Sequence, residues 1–176
     1  MILGFIGELG AGKTLNAVLW SQYLKKISNN KLKIYSNFYI YDAERFNTVE
    51  ELLNINNSII VYDEIHGDIN SRIWWKNTDI INFFLQLRKR NNFLIFTTQN
   101  IKQVDVRLRN ITTFLFYCLK RNNKIRVYIF DFQNNVLKNN YYLDLKELKE
   151  NKFFDLYNTF EVVKPIEREI INNQYQ

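Results

Sequence analysis

With 176 residues, 47% of them apolar and including fourteen Phe and eleven Tyr, the chain has material for one sizeable core and too little for two, and it is excluded from the disordered class. Its net charge of +6 is unevenly placed: twelve Lys or Arg against two acids, Asp79 and Asp105, from Arg72 to Arg126, and twelve against sixteen elsewhere. That basic middle third predicts an anionic partner, with a solubilising surface as the plainer reading, while the composition excludes an intrachain disulfide, a transition-metal cluster and a membrane-spanning apolar run.

Ile2 to Ile6 is a short apolar run leading into glycines, the pattern of a buried parallel strand and not of a cleavable leader. Thr14 to Ile27 reads as a helix with Leu15, Val18, Leu19, Tyr23 and Leu24 on one stripe, and Lys31 to Ile40 has strand character. Asn47 to Leu53 reads as a short helix capped by Asn47, with Glu50 three residues on. Ser58 to Tyr62 is a continuous apolar strand ending in Asp63-Glu64. Thr78 to Lys89 reads as a covered helix and Phe93 to Thr98 as another buried strand. Thr112 to Leu119 and Ile125 to Phe132 form a hairpin across Lys120 to Lys124, with Cys118 buried in its first strand. Leu143 to Glu150 reads as a short helix, Phe153 to Glu161 fits no single period, and a polar tail starts at about Arg168. The pairs Asn91-Asn92, Asn122-Asn123 and Asn139-Asn140 read as turns. The alternation predicts an α/β fold over residues 1–176: a mostly parallel sheet flanked by helices, with an added C-terminal hairpin.

Residues 7–14 fit G-x-x-x-x-G-K-T, between a strand and a helix as the motif requires. In such a loop Gly7, Gly10, Ala11 and Gly12 bring backbone N–H groups close to phosphate oxygens, and the helix N-terminus adds positive potential. Lys13 is expected at the β- and γ-phosphates and the Thr14 hydroxyl on Mg2+. Glu8, acidic inside an anion-binding loop, must point away from the phosphates or face a partner group. Asp63 is expected to hold Mg2+ through a water, and Glu64 to orient and polarise the attacking water. This acid pair favours a hydrolase, most simply of ATP, over a nucleotide or small-molecule kinase, which has no water to activate. Gln99, closing the third strand, is the candidate γ-phosphate sensor, with a polar strand cap as the alternative. His66 reads as a local hydrogen-bonding residue.

The set from Gly7 to Thr14, Asp63-Glu64, Ser71-Arg72, Gln99-Asn100 and residues 104–109 resembles the FtsK/HerA superfamily of ATPases. Within it, the match is similar to viral genome-packaging ATPases and to zonula occludens toxin-like phage assembly ATPases; Tyr157-Asn158-Thr159 resembles a late stretch of the toxin-like branch. The resemblance implies a RecA-like core, ATP and Mg2+ bound between neighbours in a homo-oligomeric ring, usually a hexamer, and translocation of double-stranded DNA. It also implies Glu64 as catalytic carboxylate, Gln99 as sensor and a trans arginine finger, with Arg107 or Arg109 as candidates and Arg72 in reserve. Without a membrane segment, the expectation shifts from phage extrusion toward a packaging motor in the host cytoplasm, working with a capsid or portal-vertex protein and associated with virion or procapsid. An assembly or secretion ATPase acting on protein partners is the alternative.

A translocating ring needs phosphate contacts that carry no sequence information. Arg72 and Lys76 flank Trp74-Trp75, whose indoles are read as stacking on DNA, packing between subunits or packing in the core. Arg88-Lys89-Arg90 is a second DNA candidate, or a charged helix end. Lys120, Arg121, Lys124 and Arg126 surround the hairpin turn, as a solvated turn or as a contact surface.

Overall fold

The apolar runs Ile2–Ile6 (β1), Ser58–Tyr62 (β4) and Phe93–Thr98 (β5) form the centre of one sheet, because their side chains have core on both sides. The structure is a computed structural model and describes residues 1–69 and 78–168. Around the centre lie β2 (Lys33–Ser36), β3 (Glu44–Arg45), β6 (Phe114–Arg121), β7 (Lys124–Asp131) and β8 (Val136–Asp144). Their order is β3-β2-β4-β5-β1-β6-β7-β8. Pairing is parallel from β3 to β6 and antiparallel from β6 to β8. This is the predicted α/β arrangement.

One face packs on α1 (Lys13–Ile27): Leu3, Phe5, Val61, Ile95 and Phe116 meet Leu15, Ala17, Val18 and Leu24. Phe5, fully buried, stacks on Phe116 with ring centroids 4.4 Å apart; burying a side chain of this size contributes roughly 1.5–3 kcal/mol. The other face carries Ile60, Tyr62, Leu94 and Phe96 and is covered by α2 (Val49–Leu53), α3 (Thr78–Leu85) and α4 (Val106–Ile111). Because β1, β4, β5 and β6 are parallel, their carboxyl ends meet along one rim, where ligands sit in open α/β sheets.

Several boundaries differ from the sequence reading. The α2 cap is Thr48 with Glu51, a complete capping box one residue later than predicted, and Glu51 also accepts from the Asn47 N–H. The helix predicted to reach Lys89 stops at Leu85 and gives way to turns, where Asn92 ties the chain to Ile55 and Ser58. Asn139-Asn140 is not a turn but lies inside β8, a strand the sequence reading did not contain. β8 is exposed over most of its length, so it has little apolar alternation to read. The final helix, α5 (Leu145–Glu150), is capped by Asp144. The predicted hairpin forms, tightened to a turn at Asn122-Asn123. After a 3-10 turn at Phe153–Leu156, an extended segment makes isolated bridges to Ile40 through Tyr157 and to Thr48 through Glu167. The predicted tail after Arg168 lies outside the described residues, as do Ser71, Arg72, Trp74, Trp75 and Lys76.

Candidate nucleotide site

The glycine loop leaves the carboxyl end of β1 and α1 begins at Lys13. Gly12 holds φ +86°, and a side chain there would run into Ile125 from β7. Gly7, at φ +148°, lies so close to the Cys118 carbonyl of β6 that a Cβ would collide with it. The glycines at these two places are therefore required by backbone shape and by the neighbouring strands. Lys13 is 5% exposed, with Nζ 3.1 Å from the Glu8 carbonyl. Glu8 is exposed and is not among the residues lining the cavity at this loop.

β4 delivers Asp63 to the same rim. Its Oδ1 accepts from the Thr14 hydroxyl at 2.9 Å and from the Thr97 hydroxyl at 2.7 Å. Its backbone is clasped by Asn37, whose amide donates to the Asp63 carbonyl at 3.0 Å and accepts from the Asp63 N–H at 2.8 Å. Burial pushes the Asp63 carboxyl above the ordinary carboxylate range, partly countered by these two hydroxyls; Glu64 pushes it up and Lys13 down. A carboxylate oxygen beside a hydroxyl is a donor pair for a hard divalent cation, whose charge would offset this burial. Among the described residues no cluster of three or more His, Cys, Asp or Glu could hold a metal, so such a cation would draw further ligands from phosphate or water.

Glu64 follows in a left-handed backbone conformation, φ +50°, held by its N–H donating to Thr97 at 2.9 Å. One residue, Thr97, thus links both acids. The Glu64 side chain reaches the phosphate cavity, and its buried Oε2 stands 3.2 Å from His66 Nδ1 without the alignment of a hydrogen bond. His66 Nδ1 lies 3.3 Å from the Thr98 hydroxyl.

A cavity of about 680 Å3 brings together Gly10, Gly12, Lys13, Thr14, Asp63 and Glu64. Its lining also includes Lys120, Ile125, Leu145 and Phe154, and Tyr157 to Glu161 contribute from the C-terminal side of the chain. β5 lies between β1 and β4, as the sensor argument required. Gln99 itself is exposed just past the strand, outside the residues lining the cavity. Asn37 is a site component that the sequence reading did not assign; Thr97 belonged to the polar strand end from which Gln99 was preferred, and the Tyr157 segment was singled out only by resemblance, without a role.

The arginine candidates separate. Arg107 is forked onto Asp105, with Nε to Oδ1 at 3.0 Å and Nη2 to Oδ2 at 2.9 Å, which holds the Asp105 carboxyl below its usual range. Arg109 has a buried Nε with no hydrogen-bond partner among the described residues. Arg88 and Lys89 are exposed before β5, at the end of the sheet opposite the glycine loop. Arg90 donates to the Leu53 carbonyl at 2.9 Å and lies over the Phe83 ring, tying loops together.

No curated protein sequence matches the chain. Among solved structures, the N-terminal domain of zonular occludens toxin from Neisseria meningitidis superposes with a TM-score of 0.64 at 18% identity, covering 89% of this chain and 98% of that one. The genome packaging NTPase B204 from Sulfolobus turreted icosahedral virus 2, in complex with AMPPCP, superposes with a TM-score of 0.58 at 10% identity, covering 78% and 95%. These likenesses show a P-loop NTPase fold. No described helix is long and apolar enough to cross a membrane. The family model described as zonular occludens toxin (Zot) matches residues 22–160, most of the sheet and the segment that closes the cavity, and the chain belongs to that family.

Proposed function

We propose that this chain hydrolyses ATP, with Mg2+, to drive translocation of double-stranded DNA during virus or phage assembly. The observation that carries hydrolysis is the convergence of Thr14 and Thr97 on Asp63, one residue before a glutamate that reaches the same cavity as Lys13. Lys13 and the loop N–H groups bind the phosphates, Thr14 and Asp63 hold Mg2+, and bound Mg2+ neutralises charge on the phosphate oxygens. Glu64 accepts a proton from the attacking water and orients it. Thr97 fixes the spacing of the two acids, and His66 steadies the Glu64 carboxylate.

A ring of this chain, expected to be a hexamer, places an arginine of one subunit at the next subunit's nucleotide. Arg109 is the better finger, since Arg107 is already neutralised by Asp105. Support for DNA comes from the basic stretch between Arg72 and Arg126 and from the likeness to a protein described as a genome packaging NTPase. Gln99, at the end of the central strand, keeps its proposed sensor role in the assembled ring. The second reading, an assembly ATPase acting on protein partners, is favoured by the family match to Zot.

The deciding experiment measures ATP hydrolysis against protein concentration, with and without double-stranded DNA. Cooperative, DNA-stimulated turnover is expected, falling by about a hundredfold or more in Lys13→Ala and Glu64→Gln. Arg109→Ala should bind nucleotide and hydrolyse poorly, while Arg107→Ala retains turnover. Hydrolysis indifferent to DNA across a full titration removes the DNA motor and leaves the assembly reading; no hydrolysis in any assembled state removes both.

A further inference from the structure

The segment after α5 has no counterpart in the roles given so far, yet it walls the phosphate cavity. Tyr157, Asn158 and Thr159 line it together with the glycine loop. The segment is fastened on both sides of these residues. The Leu156 carbonyl accepts from the Tyr41 N–H at 2.7 Å, and Tyr157 bridges Ile40. Glu161 accepts from the Tyr39 N–H at 2.8 Å and pairs with Arg45 at 2.8 Å. Between these anchors the Tyr157 ring packs edge-on against Phe38, centroids 6.5 Å apart, and Phe38 lines the same cavity.

The anchored Tyr157 thus lines the same cavity as Asp63 and Glu64. A tyrosine hydroxyl keeps its proton at neutral pH, and burial holds that of Tyr157 further to the same side, so it serves as a donor. That proton makes no hydrogen bond to another described residue, and the hydroxyl is not among the buried polar atoms without partners, so it is open to an incoming acceptor. A terminal phosphate has three non-bridging oxygens, more than Lys13 and one cation engage. A neutral donor lining the same cavity suits one of them without adding charge that Asp63 would compete for.

We propose that Tyr157 is a ligand of the nucleotide's terminal phosphate, so that the segment from Leu156 to Glu161 closes the site in cis and distinguishes a triphosphate from a diphosphate. The inference rests on the nucleotide reading above. Asn158 and Thr159 extend the same wall, and farther along the Ile166 N–H donates to Asp68, five residues after Asp63. The closing segment thus joins the phosphate cavity to the stretch that follows the acid pair.

The test is calorimetric titration of wild type, Tyr157→Phe and Lys13→Ala with AMPPCP and with ADP, each with Mg2+. Tyr157→Phe keeps the ring on Phe38 and deletes only the hydroxyl. It should weaken AMPPCP about tenfold or more, shift ADP by less than about twofold and leave the melting temperature unchanged. Equal weakening of both nucleotides, or none, overturns the proposal while the nucleotide site stands. Wild type that binds neither nucleotide, and so cannot be told from Lys13→Ala, overturns both. A second measurement uses the unmodified chain: chymotrypsin cleavage after Phe160, which is 92% exposed, should slow with AMPPCP and not with ADP. Equal cleavage with the two nucleotides also overturns the proposal.

Discussion

Thr97→Val tests how the two acids are wired together. The Thr97 hydroxyl is fully buried, donates to Asp63 Oδ1 at 2.7 Å and accepts from the Glu64 N–H at 2.9 Å. Valine keeps the shape and deletes both bonds. A hydrogen bond to a charged acceptor contributes about 1.5–3 kcal/mol, and a buried N–H left unpaired costs about 1–3 kcal/mol. Asp63 keeps its bond from Thr14, so the lower part of each range applies and the loss is about 3 kcal/mol. That is a large fraction of the roughly 5–15 kcal/mol that stabilises a domain. With a urea slope of about 2 kcal/mol per molar, the unfolding midpoint should fall by about 1.5 M. Thr98→Val is the matched control, because its hydroxyl contacts are at 3.3–3.4 Å, and it should cost less than about 1 kcal/mol. Hydrolysis should fall in the first variant more than in the second, since only the first frees the Glu64 turn. Equal midpoints for the two variants would refute the reasoning.

Asp63→Asn should abolish hydrolysis while leaving the ligand-free protein at least as stable at pH 7, because Oδ1 of the amide still accepts both hydroxyls. The sign follows from the raised carboxyl: its protonated form is favoured in the fold, so its contribution is fully present in acid and lost as pH rises through the folded pKa. Thermal melts from pH 4 to 7 should show this decline in wild type and a flatter profile in the variant. Cys118, whose thiol burial pushes up to about 12, should resist a thiol reagent at pH 8 until denaturant is added, when one equivalent reacts. Gly12→Ala should cost about 1–2 kcal/mol in urea unfolding, from its left-handed φ and the Ile125 contact.

What was legible in the sequence is what lies contiguous in it. The glycine loop and the acid pair each follow an apolar strand, and parallel strands of that kind bring their carboxyl ends to one rim. The Phe93–Thr98 strand was legible as well, from its apolar run and polar end, and its place between the other two is shown by the sheet order. The side chain that completes the site was not, because residues 97 and 99 share a face by the period-two rule and only the strand's end decides between them. The strand stops at Thr98, leaving Gln99 exposed and Thr97 on the acids. Asn37 reaches the site through tertiary contacts from 26 residues before Asp63 with no local pattern to announce it, and Tyr157, singled out only by the resemblance of Tyr157-Asn158-Thr159, carried no pattern that placed it at the site. β8 escaped because neither of its faces is buried enough to impose an alternation.

Folded chains leave few buried polar groups without partners, so their position carries information. Among the described residues three side-chain atoms are of this kind: Glu64 Oε2, Arg109 Nε and Arg126 Nε. Arg126 lies between the rings of Tyr128 and Tyr142, at 4.7 and 4.9 Å, whose π faces offset the unmade bond. Glu64 Oε2 has only the unaligned His66 Nδ1 at 3.2 Å and Arg109 Nε has no ring beside it among the described residues, and these are the residue proposed to meet a water and the residue proposed to meet a neighbour. Asp63 beside them is a carboxylate whose ionised form the fold disfavours. A sequence selected for stability alone would replace a buried carboxylate by an amide and let the acid next to it turn to solvent. Keeping both acids at one strand end, against these costs, fits a site in which a bound cation supplies the missing positive charge.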